Sequence, residues 1–114
     1  MSATVKCRRL DDVVILDISG RITLGEGAVT LRDALQKLLN SGERKLVMNL
    51  EDVDYIDSAG LGELVTAFTV VRAQGGQLKL LKLTHRIHDL LQITKLLTVF
   101  DAFESETEAI KSLR

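Results

Sequence analysis

Apolar stretches of two different periods alternate along this chain, and that alternation limits its folds more than any other feature. Val13-Val14-Ile15-Leu16-Asp17-Ile18-Ser19 is a β-branched, nearly continuous apolar run closed by Gly20. Such a run suits a strand covered on both sides. Leu31, Leu35, Leu38 and Leu39, with Val29 before them, then recur at i, i+4, i+7 and i+8, the stripe of a helix, and Ser41-Gly42 is a stop. Leu46-Val47-Met48-Asn49-Leu50 is short and bounded by charge, as a buried strand is, and Tyr55-Ile56 extends the chain toward Asp57. Leu61, Leu64, Val65, Phe68 and Val71 mark a second helix, broken by Gly75-Gly76. Leu78, Leu80, Leu81 and Leu83 form a strand with Lys79 and Lys82 at polar positions. Thr84 caps a third helix carrying Ile87, Leu90 and Leu91. Val99 to Phe103 reads as a last short strand, and Ser105 with Glu108 as a capping box before Ala109, Ile110 and Leu113. At the start, Val5 and Cys7 alternate with Lys6 and Arg8, and Asp11-Asp12 makes a turn.

The order is β-β-α-β-α-β-α-β-α. Strands separated by helices need crossover connections and pair in parallel, while the opening hairpin adds an antiparallel pair. The expectation is a one-domain α/β sandwich over residues 1–114 with a mixed, mostly parallel sheet and about four helices. A length of 114 residues fits one domain of the usual ~150.

Composition narrows the chemistry. Lys and Arg number 15 against 16 Asp and Glu, so a formal charge of −1 gives little pull toward nucleic acid or an acidic membrane. No apolar run approaches the ~20 residues of a membrane span. The one cysteine, Cys7, excludes an internal disulfide. With no signal peptide ahead of it, it is expected of a chain kept in a reducing cytosol. No cofactor, metal or catalytic set is expected. His85 and His88, at i, i+3, lack further ligands at a recognisable spacing and suit a solvated helix face. Arg8, Arg9 and Arg21 offer a small basic patch or simply a charged sheet edge. The surplus of Leu90, Leu91, Ile93, Leu96 and Leu97 over one helix face is a docking surface beside the second helix or packing under the last strand, and core packing is the default.

One stretch carries chemistry. Asp57-Ser58-Ala59-Gly60-Leu61-Gly62 lies where a strand passes into a helix. Small residues there allow a tight turn and leave helical N–H groups open, and a helix start favours an anion. Ser58 is either an ordinary N-cap or a hydroxyl placed to take a phosphate. A serine hydrolase is disfavoured, because Ile56 stands where the Gly-x-Ser-x-Gly elbow needs glycine.

This hexapeptide resembles the signature of STAS domains, the family of bacterial anti-sigma factor antagonists. The likeness extends to the opening hairpin, Gly20, Asn49-Leu50, Gly75-Gly76, Leu96 to Phe100 and the acidic helix start at Ser105-Glu106. It implies that Ser58 is phosphorylated by a GHKL-type ATPase partner that is both serine kinase and anti-sigma factor. It also implies that the unphosphorylated form binds this partner and frees the sigma factor, and that a PP2C-type phosphatase resets the switch. By the same resemblance, Asp57 orients the Ser58 hydroxyl, and Thr23 with Asp57, Ser58, Ala59, Gly60, Leu61 and Gly62 forms the switch loop and partner surface. The nucleotide and Mg²⁺ belong to the kinase, not to this chain. The chain departs from the family at Gly20-Arg21-Ile22-Thr23, where Thr23 replaces a common acid. The alternative implied is a STAS scaffold or ligand-sensing module that is never phosphorylated.

Overall fold

A computed structural model describes residues 3–114. The elements are β1 (Ala3–Leu10), β2 (Val13–Ile22), α1 (Glu26–Asn40), β3 (Lys45–Ile56), α2 (Ser58–Ala73), β4 (Gln77–Leu81), α3 (His85–Ile93), β5 (Ala102–Phe103) and α4 (Glu106–Lys111). The five strands lie side by side in chain order. β1 runs antiparallel to β2, and β2 to β5 are parallel. The mixed, mostly parallel sheet and the element order are those expected from the sequence.

The side-chain period of a strand explains the two layers of core. Val14, Leu16 and Ile18 of β2 join Leu46, Met48 and Leu50 of β3 in one cluster. Leu31, Leu35 and Leu39 of α1, Leu64 and Val71 of α2, and Ile87 and Leu91 of α3 close that cluster. The alternate residues Val13 and Ile15, with Val47 and Leu81, pack under Ala109, Ile110 and Leu113. The unbroken run Val13–Leu16 is therefore buried on both faces, and two-sided cover stops at half-exposed Asp17.

Four boundaries differ from the sequence reading. Gly20 does not end its strand, because its φ of +93° is absorbed where β3 slips past β2. The register shifts once between Asp17 and Ser19 and again between Gly20 and Arg21, the signature of bulges. β2 thus reaches Ile22, and Tyr55-Ile56 belongs to one continuous β3. α1 begins at Glu26, ahead of Val29 where the apolar stripe in the sequence starts. β4 ends at Leu81, leaving Leu83 outside it. Only Ala102 and Phe103 of the last apolar stretch are strand, because Phe100 turns into the core instead of pairing.

The topology also fixes one functional edge. Each of α1, α2 and α3 starts just beyond the C-terminal end of β2, β3 or β4. In open parallel sheets this edge is where ligand-binding loops collect.

Candidate functional site

Asp57, not Ser58, caps α2. Its backbone is extended, at φ −101° and ψ −175°, and its Oδ1 accepts from the Gly60 N–H at 2.8 Å. Ser58 is the first helical residue and is exposed. The capping reading of Ser58 is thereby corrected. Asp57 already supplies the side-chain oxygen that a helix start requires, and the Ser58 side chain is left at the surface.

The second oxygen of Asp57 accepts from the backbone N–H of Leu24 at 3.0 Å. Among the described residues, no hydrogen bond joins Asp57 to the Ser58 hydroxyl. The carboxylate instead links two backbone segments, and those two amides hold its pKa below the ordinary aspartate value, that of Gly60 first. The Asp57 N–H also reaches the Ile22 carbonyl at 3.4 Å. Thr23, half-buried, offers its carbonyl to the Ala28 N–H in the first turn of α1 at 3.0 Å. The structure thus brings the Thr23–Gly25 loop and the Asp57–Gly62 segment together.

Their side chains divide into two kinds. Gly60 is buried, and a Cβ there would stand 2.0 Å from the Ile22 carbonyl oxygen. Leu61 is 8% exposed and belongs to the core. These two seat α2 on β2. Ser58 and Gly62 face outward, and Ala59 is half-buried. Nothing within the chain approaches a Cβ at Gly62 within 4 Å. Of the glycines expected to permit the tight turn, only Gly60 is demanded by packing.

Other polar candidates resolve into ion pairs and stacks. Arg8 bridges Asp17 and Glu106, reaching Asp17 Oδ1 at 3.0 Å and Glu106 Oε1 at 2.8 Å. Arg9 pairs with Glu43. Arg21 lies over the Tyr55 ring at 4.8 Å, and Arg86 stands 5.4 Å from the same ring. Of these three arginines, Arg8 and Arg9 are thus paired with acids and Arg21 stacks on a ring. His85 and His88 both turn toward Asp89, at 3.2 and 3.6 Å. Among the described residues no group of three or more His, Cys, Asp or Glu is placed to hold a metal. Cys7 is exposed on the outer strand, and desolvation with the Asp17 carboxylate holds its thiol above the ordinary value, away from a reactive thiolate. Of the leucine-rich surplus, Leu91 is core, but Ile93 is 79% exposed beside Tyr55 and Leu90.

Three contacts escape sequence reading. Arg32 of α1 forks onto Glu63 of α2, at 2.9 and 3.0 Å, beside the site. Glu106 serves Arg8 as well as its own helix start. The Leu24 amide reaches Asp57 across 33 positions of sequence. Only the last had a local signal, the acid that opens the hexapeptide.

Comparison with known proteins places the fold. The STAS domain family model matches residues 4–109. The chain belongs to the STAS domain family. The anti-sigma-B factor antagonist of Bacillus subtilis is 37% identical over 101 residues, covering 89% of this chain and 91% of that protein. The crystal structure of an anti-sigma factor antagonist from Mycobacterium paratuberculosis superposes with a TM-score of 0.87, covering 99% of this chain and 95% of that one at 21% identity. The unphosphorylated Bacillus antagonist SpoIIAA superposes at 0.81, with 18% identity and 97% and 96% coverage. At those identities the two structures bear on the fold alone. In this STAS chain the strand-to-helix junction at Asp57–Gly62 leaves Ser58 exposed. No helix is long and apolar enough to cross a membrane, among the described residues.

Proposed function

We propose that this protein is an anti-sigma factor antagonist switched by phosphorylation of Ser58, a binding module rather than a catalyst. The observation that carries the reading is the exposed Ser58 at the first position of α2, with its capping duty taken over by Asp57. The relationship to the Bacillus subtilis anti-sigma-B factor antagonist supplies the partner class. In this reading a GHKL-type serine kinase that is also the anti-sigma factor binds the unphosphorylated chain and lets its sigma factor go. The kinase brings ATP. The Ser58 oxygen bonds to the γ-phosphorus, the bond from that phosphorus to the ADP oxygen breaks, and the hydroxyl proton passes to a base of the kinase and on to solvent. A PP2C-type phosphatase hydrolyses the ester and restores the hydroxyl.

The physical effect is local. The free chain has a formal charge of −1, and one phosphate adds about −1.5 to −2 at a single exposed point. An interface closed over Ser58 would then have to bury that charge or open. By the family resemblance, Thr23 replaces a common acid, so here the phosphate meets one fewer negative neighbour.

Intact-mass measurement after incubation with the cognate kinase and ATP tests this. One added phosphate, absent in Ser58→Ala, is the expected result. Binding of that kinase is expected to survive Ser58→Ala and to weaken in Ser58→Asp. Equal binding by both variants would instead establish the unphosphorylated scaffold.

A further inference from the structure

Leu24 is 80% exposed in the loop between β2 and α1, yet its backbone is tied down. Its N–H donates to Asp57 Oδ2, and Asp57 Oδ1 accepts from Gly60. One carboxylate therefore joins the loop after β2 to the first turn of α2. It does so from the residue immediately preceding Ser58. The loop has little else to fix it from the side chains: Gly25 opens α1 at a φ of +93° with no side-chain cap. On its far side the loop is anchored by backbone bonds, from Ala28 N–H to Thr23 and from Val29 N–H to Gly25.

We propose that Asp57 is a positioning residue that clasps the Leu24 amide to the start of α2, and that a phosphate on Ser58 breaks this clasp and frees the loop. The inference rests on Ser58 being the phosphoacceptor. A phosphate on the adjacent residue repels the Asp57 carboxylate and brings three strong acceptor oxygens to the same helix start. The two anions then compete for a small set of backbone donors. Gly60 is part of the helix itself, whereas among the described hydrogen bonds the Leu24 N–H is held to α2 only by the Asp57 carboxylate, so Leu24 is the donor that is lost. The signal thus travels from α2 to the β2–α1 loop, and a partner resting on both segments meets an altered shape as well as a new charge.

Asp57→Asn separates the clasp from the cap. Asparagine is as good a helix cap as aspartate, but it offers one oxygen for two amides, and its NH₂ group faces the other donor. The experiment is amide hydrogen exchange by NMR on the full chain in three forms: wild type, Asp57→Asn, and phosphoserine incorporated at position 58 during translation. The Leu24 N–H is expected to exchange roughly tenfold faster or more in both altered forms, as loss of a charge-assisted hydrogen bond requires. The Gly60 N–H is expected to stay slow in Asp57→Asn. An unchanged Leu24 rate in Asp57→Asn overturns the clasp, and an unchanged rate in the phosphoserine form overturns its release. No kinase enters this measurement, so either failure is distinct from failure of the mass test, which alone decides whether a partner phosphorylates Ser58.

Discussion

Gly60 and Gly62 look alike in sequence and do opposite things in the fold. A Cβ at Gly60 would stand 2.0 Å from a backbone oxygen and 2.8 Å from the Ile56 side chain, so β2 or α2 must move to admit it. Gly60→Ala is expected to cost about 1–3 kcal/mol or more, the range for overpacking a closed contact. Gly62 sits exposed inside the same helix with room for a Cβ, and there alanine relieves the entropy of glycine. Gly62→Ala is expected to stabilise the isolated chain by about 0.5–1 kcal/mol. Urea unfolding of the two variants checks both signs. If Gly62→Ala also weakens binding of the proposed kinase while raising stability, the glycine serves the partner rather than the fold. The hexapeptide as a motif was legible in the sequence, but the division of labour within it was not, because the residue that selects Gly60 is Ile22, far away along the chain.

At the scale of elements, α4 is the only helix of the described residues packed on the second face of the sheet. Ala109, Ile110 and Leu113 cover Val13, Ile15, Val47 and Leu81, and Leu113 is 1% exposed. Leu113→Ala is expected to destabilise by about 2 kcal/mol or more, read from the urea midpoint. The same variant is expected to raise amide exchange in α4 before that in α2, since α2 rests on the larger cluster. The helix is also held at its start, where Arg8 grips Glu106 and Asp17 together. These groups are partly exposed, so Arg8→Ala is expected to cost no more than about 1 kcal/mol, and less in high salt. The sequence period identified α4 and its inward residues, and Ser105 caps it as expected, accepting from the Glu108 N–H at 3.3 Å. Which face of the sheet α4 covers follows from no local pattern. Periodicity says which side of an element is apolar, not which neighbour it meets.

At the scale of the whole molecule, three aspartates tie distant segments and share one pH signature. Arg8 chiefly holds Asp17 below its ordinary value of 3.8, Lys45 does so for Asp12, and the Gly60 and Leu24 amides for Asp57. A carboxylate lowered in the folded state adds stability above its unfolded value, and that stability is lost as pH falls through the folded one. The urea midpoint is therefore expected to hold steady between about pH 7 and pH 5 and to fall below about pH 4. In Asp17→Asn the midpoint at neutral pH is expected to be lower and the acid decline shallower. The sequence by itself determined the element order, the mixed parallel sheet and the serine at a helix start, since each is written in local period and small-residue spacing. Only the tertiary structure decided that Asp57 caps α2, that Gly20 lies within β2 opposite the bulges of β3 rather than ending its strand, and that Leu24 is tied to Asp57. These depend on backbone donors and strand register, and neither is encoded by the kind of residue at a position. A carboxylate bonds whatever amide the fold delivers to it, and here the fold delivers one from the far end of the neighbouring strand.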